Sequence, residues 1–177
     1  MKDLFSTRNL AVVGIILLAA LSRIVPHSLG YHLNIAPIMA LALFGGAYLP
    51  SKKTAYLIPM ASMFISDIFL GFHPLMWAVY GAFALGVVIG QLMNGKVSAT
   101  RVAASSLAGS ISFFIITNFA HWLMFCPHTT QGFVQCYIDA IPFFRNSLFG
   151  DLAYSAVFFG AFELASKYLP QMQAEKN

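Results

Sequence analysis

The chain has 177 residues, 59% of them hydrophobic and 9% charged, with a formal net charge of +4. Soluble domains carry roughly 25% charged residues, and a single core of this size cannot hide so much apolar side chain from water. An ordinary water-soluble domain is therefore excluded and a lipid bilayer is the expected solvent; the excess of Lys and Arg reads as a topology signal, with no nucleic-acid partner implied.

In chain order, the first apolar run covers residues 10–25, behind Lys2 and Arg8. A signal peptide would show small residues at a cleavage site. Here Arg23 and Ile24 come next, so the segment is expected to stay as a helix. The second run, 35–49, is short, about 22 Å at 1.5 Å per residue. Asn34 is placed to cap it, with Pro37 in its first turn. A start below the outer surface would aim its free N–H groups into a cavity and favour an electron-rich ligand; the plainer reading is a helix that begins after a loop. Further runs follow at 55–72, 75–93 and 102–125, separated by Pro50-Ser51-Lys52-Lys53, His73-Pro74 and Asn94-Gly95-Lys96.

The connection 126–146 is the only long one. Within it, Phe133, Val134, Tyr137, Ile138 and Ile141 recur at helical spacing, with Gln131, Gln135 and Asp139 opposite. This predicts a short amphipathic helix on the outer surface over 131–141, ended by Pro142, serving as a lid or as an interfacial connector. Cys126 and Cys136 fall in the same region, where an oxidising compartment would permit a disulfide. The last run is 147–169. The predicted fold class is all-α: one domain, a polytopic protein of six transmembrane helices in the bacterial cytoplasmic (inner) membrane.

Charge placement fixes the orientation. With both termini cytoplasmic, Lys2, Arg8, Lys52, Lys53, Lys96, Arg101, Lys167 and Lys176 lie inside and only Arg23 and Arg145 outside. That eight-to-two bias obeys the positive-inside rule, and five or seven helices would scatter it. Small residues at four-residue spacing (Ala82, Gly86, Gly90; Ala104, Ala108, Ser112; Ala156, Gly160) allow close backbone approach, either within the bundle or against another membrane subunit.

Intramembrane polar groups are costly and mark candidate sites. They gather on the outer side: Asp67, Tyr80, Asn118, His121 and Asp151, with Arg23 at the end of the first run. Asn118 and His121, three apart, share a helix face, as do Ser147, Asp151 and Tyr154. The acids and arginines can neutralise one another, which is also how a purely structural charge cluster would look. Glu163, the one acid of the inner half, has Lys167 four residues on and reads as structural. The one-sided set points to an outward-facing pocket for a small-molecule ligand, with Arg23, Asn34, Asp67, Tyr80, Asn118, His121, Trp122, Tyr137, Arg145, Asn146 and Asp151 as candidate binding residues. Trp122, Tyr80, Tyr137 and Phe144 could stack on a flat ring.

No GxSxG, HExxH, GxGxxG or phosphate-loop motif occurs, so neither catalysis nor a bound cofactor is predicted. The alternatives are a metal-handling protein or membrane enzyme using His27, His32, His73 and His121 with Asp67 or Asp151, although the histidines lack the paired spacing of strong metal motifs, and a structural membrane subunit.

Arg23…Pro26-His27, Asn34…Pro37, Phe44-Gly45-Gly46-Ala47-Tyr48, Ser66-Asp67, Thr117-Asn118-Phe119, Ala140-Ile141-Pro142-Phe143-Phe144-Arg145-Asn146 and Gly150-Asp151 resemble the motifs of an uncharacterised bacterial six-helix membrane family. That family is similar to the substrate-binding S components of energy-coupling-factor vitamin transporters, and the resemblance covers roughly residues 20–167. It implies capture of a vitamin or a metal ion near the outer surface, and docking by the first helices onto a membrane coupling subunit with ATPases. The alanine-x-x-x-alanine pattern that commonly serves this docking is missing: Ile15 lies four after Ala11, and Leu18 four after Gly14. A solitary transporter, or one with a different partner, is equally open.

Overall fold

The computed structural model describes residues 7–28, 37–93 and 96–168, with the backbone alone at residues 8, 19, 20 and 22–28. Among these residues there are six helices and no strand: α1 (Thr7–Ser28), α2 (Ile38–Tyr48), α3 (Lys52–Leu70), α4 (Met76–Leu92), α5 (Ala99–Phe125) and α6 (Thr130–Tyr168). The all-α expectation holds. Two of the helices, α5 and α6, are long and apolar enough to cross a membrane.

The short second run is the centre of the fold. A helix that is apolar on every face must be buried on every face. Accordingly, every residue from Met39 to Tyr48 is buried, and all five other helices pack against α2. Small residues make this possible. A Cβ on Gly46 would collide with the carbonyl oxygen of Val87, and one on Gly90 with that of Leu43, so α2 and α4 cross backbone against backbone. Gly86 makes room for Met39, and Gly45 for the ring of Pro59 in α3. Ala82, Gly86 and Gly90 thus serve packing within the chain, whereas Ala104, Ala108, Ala156 and Gly160 are exposed. At the far end of α2, Tyr48 donates to Glu163 Oε1 at 2.7 Å, tying α2 to α6 and giving Glu163 its structural role.

Local capping moves some predicted boundaries. Ser51 and Thr54 form a capping box, so α3 starts at Lys52 and takes in two lysines assigned to a turn. Ser98 caps α5, which starts at Ala99 rather than 102. Gly71, at φ 93°, ends α3 in a conformation open to glycine, and its N–H donates to the Asp67 carbonyl at 2.8 Å.

The main correction concerns the segment 131–141. It is not a separate surface helix ended by Pro142 but the first third of α6, a 39-residue helix that runs through the proline. A mid-helix proline forfeits one hydrogen bond and crowds the carbonyl four residues back, costing about 3 kcal/mol. Here α5 supports the chain on both sides of it. The Phe114 ring packs on Tyr137 at 5.7 Å and on Phe144 at 4.6 Å, and Tyr137 donates to the Ile115 carbonyl at 2.9 Å. At about 1.5 Å per residue, α5 extends about 40 Å and α6 about 58 Å, an antiparallel hairpin longer than a hydrocarbon core of about 30 Å. Its tip is closed by a disulfide between Cys126 and Cys136, with Cα atoms 6.5 Å apart, as the sequence suggested.

Large apolar side chains are exposed, and a group of polar ones is buried beside the hydrophobic core. Leu57, Phe69, Trp77, Ile111, Val157 and Leu164 point outward, while Ser62, Ser66, Asp67, Ser106, Ser110, Asp151 and Ser155 are buried.

Candidate functional site

Toward the tip the hairpin opens. Leu75, just before α4, joins α5 and α6 around a cavity of about 500 Å³. From α5 come Ser110, Phe113, Phe114, Thr117, Asn118 and His121, and from α6 Cys136, Asp139, Ala140, Phe143, Phe144, Ser147 and Asp151. On α5, Ser110, Thr117 and His121 are seven and four residues apart and so lie on one stripe. On α6, Asp139, Phe143, Ser147 and Asp151 follow at four-residue steps, a second stripe that needs the helix to be continuous through Pro142.

Asp151 is the deepest group and is 5% exposed. Its carboxylate accepts from Ser110 Oγ at 2.8 Å and from the backbone N–H groups of Met39 and Ala40. A carboxylate suits a helix N-terminus both as acceptor and as charge. Asp151 therefore caps α2 from another helix, where Pro37 offers no side-chain cap. The α2 N–H groups predicted to greet a ligand meet this carboxylate instead; Asn34, the predicted cap, lies outside the described residues. Below it, Ser155 and Ser106 join α6 to α5 at 3.4 Å.

Nearer the mouth, Asn118 Nδ2 donates to the Phe114 carbonyl at 2.8 Å and Thr117 Oγ1 to the Phe113 carbonyl at 2.8 Å. Each bond consumes a donor and leaves an oxygen to accept. Gln135 Nε2 holds Asp139 Oδ1 at 2.7 Å. The His121 ring lies 5.1 Å from that of Phe125. Four phenyl rings, Phe113, Phe114, Phe143 and Phe144, complete the wall, and among the described residues no Lys or Arg lines it. Two carboxylates, neutral acceptors and flat apolar faces suit a ring-bearing molecule with N–H donors or positive charge.

Of the predicted binding residues, Asn118, His121 and Asp151 come together here. Asp67 and Tyr80 are bonded to each other at 2.8 Å, at the α3–α4 end, outside the cavity lining. Trp122 donates to the Pro127 carbonyl at 3.1 Å and packs on Phe133 at the hairpin tip. Tyr137 is spent on α5, and Arg145 and Asn146 are exposed on α6 away from the lining. Of the alternative metal histidines, His73 is exposed in the α3–α4 turn; the side chains of Arg23 and His27, and all of His32, lie outside the described residues.

Ser110, Thr117 and Asp139 were missed as site residues. The signal for the first two was the Ser110–Thr117–His121 stripe; Asp139 was read as the wet face of a surface helix because Pro142 was taken as its end.

The model of a family described as "Family of unknown function (DUF6580)" matches residues 4–172. No curated protein and no solved structure matches the chain.

Proposed function

We propose, for a chain that belongs to the DUF6580 family of unknown function, that it is a multi-pass membrane protein which captures a small molecule from outside and passes it inward, in the manner of an S component. The observation that carries this reading is the cavity of about 500 Å³ between α5 and α6, which sets two carboxylates, a histidine and neutral polar groups among aromatic rings. Its volume lies within the usual range for small-molecule sites, roughly 300–1,000 Å³. The outward apolar residues on α3 to α6 and the eight-to-two placement of basic residues support six helices in the inner membrane with both termini cytoplasmic. In that arrangement α2, about 16 Å long, is sheathed by its neighbours and needs no lipid contact of its own. The cavity then faces outward.

The lining favours a flat, nitrogen-rich compound, vitamin-like or nucleobase-like. Its donors would meet Asp139, Thr117 and Asn118 while its ring lies among the phenyl groups. With no phosphate-loop motif in the chain, inward delivery draws on a partner ATPase, through a coupling subunit, or on the ligand's own gradient.

The test is binding to the detergent-purified chain, by calorimetry and thermal shift, across cationic and neutral nitrogen heterocycles. A ligand is expected whose affinity falls at least about tenfold in Asn118→Ala and in Asp139→Asn, the loss of a hydrogen bond to a charged or buried group. If no compound binds, and mass spectrometry finds none carried through purification, the reading is wrong.

A further inference from the structure

At the hairpin tip, a ring nitrogen of His121 and the sulfurs of Cys126 and Cys136 all lie within 4.8 Å of one another. Among the described residues the partly exposed His121 makes no hydrogen bond to the protein; its ring contact is with Phe125. Its nitrogen therefore stands beside the disulfide with coordination capacity to spare. Two thiolates and an imidazole are the donor set that selects a borderline or soft ion, Zn²⁺ or Cu⁺, over Mg²⁺ or Ca²⁺.

We propose that the hairpin tip is a redox-gated transition-metal site: oxidised, Cys126 and Cys136 form a covalent clasp; reduced, they join His121 to bind one zinc-like or cuprous ion at the mouth of the cavity. The geometry allows it without moving the backbone. Tetrahedral Zn²⁺ with Zn–S of about 2.3 Å sets its two sulfurs about 3.8 Å apart. Cα atoms 6.5 Å apart reach that by side-chain rotation alone. The three donors come from the end of α5, the turn after it and the second turn of α6, elements already held together by Tyr137 on Ile115 and Trp122 on Pro127. Three protein ligands leave a fourth position. Cys136 and His121 line the main cavity, and Cys126 and Cys136 an adjoining cleft of about 350 Å³; Asp139, one turn beyond Cys136, lines both. The open position is thus available to Asp139, to water or to a ligand in the cavity.

The chemistry balances with a dithiol as reductant. The dithiol gives two electrons and two protons to the Cys126–Cys136 bond and leaves as a disulfide; the metal then displaces the two thiol protons as it binds. The site is independent of the small-molecule reading, since its donors and its trigger are its own.

The experiment is a Co²⁺ titration of the full chain in detergent, before and after reduction by a non-chelating phosphine, with Zn²⁺ competition. One Co²⁺ per reduced chain is expected, with thiolate-to-cobalt charge-transfer and tetrahedral ligand-field bands, and none in the oxidised chain. The double variant Cys126→Ser with Cys136→Ser should abolish the charge-transfer bands. His121→Ala, which keeps the disulfide and so folds as the parent, should weaken Co²⁺ at least about tenfold once reduced, given that even outer-shell losses cost 10- to 100-fold. Absence of these bands in the reduced parent, equal binding before and after reduction, or undiminished affinity in His121→Ala would each overturn the proposal.

Discussion

Where α2 crosses α4, Gly46 lies against the Val87 carbonyl and Gly90 against the Leu43 carbonyl, with no side chain between the backbones. Where the antiparallel helices α5 and α6 approach the hairpin tip, the packing instead opens around about 500 Å³ lined by two carboxylates, a histidine and four phenylalanines. The first region has no spare volume and almost no polar atom; the second has both. Close packing fixes one arrangement because any added methyl must displace its neighbours. The open region can change its residues at little cost to the fold, which is where a ligand site can be afforded. Asp151 is the hinge between the two, capping the packed helix while lining the cavity.

That contrast can be broken by substitution, beginning with the packed region. Gly90→Ala should cost at least about 3 kcal/mol, the upper end for overpacking, because the obstacle is the Leu43 backbone and not a movable side chain. Chemical unfolding in detergent measures it, and a near-neutral result would mean that α2 and α4 are not in close contact. Removing the clasp comes next. Cys126→Ser with Cys136→Ser opens a short loop, ten residues in sequence separation, and should cost about 2–3 kcal/mol, with faster amide exchange at the hairpin tip and little change in α2.

Asp151→Ala should lose about 2 kcal/mol by orphaning the Met39 and Ala40 N–H groups, whereas Asp151→Asn keeps an acceptor and most of the stability. Equal losses in the two would show that charge, rather than capping, is what matters there. Asn118→Ala should move stability by less than about 1 kcal/mol while reducing ligand affinity; a large stability loss would place Asn118 in the packed region after all. The smallest effect belongs to Gly160→Ala. Nothing lies within 4 Å of its added methyl, so the helix should gain up to about 0.5–1 kcal/mol. A clear loss in that variant, set beside the loss expected at Gly90, would mean that the exposed face of α6 is covered by a further packing partner.

Apolar run length, the punctuation by Gly, Pro and Asn, and the side-to-side charge bias are local or additive properties, so they could be read in one dimension. From them came the six helices, the short second helix, the nearness of Cys126 to Cys136, and four of the cavity residues: Asn118, His121, Phe144 and Asp151. What the sequence could not decide was which polar groups answer one another. Asp67 meets Tyr80, and Asp151 meets the N-terminus of α2, because both partnerships depend on how separate helices are set against each other. Nor could it decide the fate of Pro142. A proline stops an isolated helix, but here the aromatic contacts of α5 on both sides of it offset the lost hydrogen bond. That tertiary support turns a predicted surface segment into a cavity wall and brings Cys136 and Asp139 into line with Asp151.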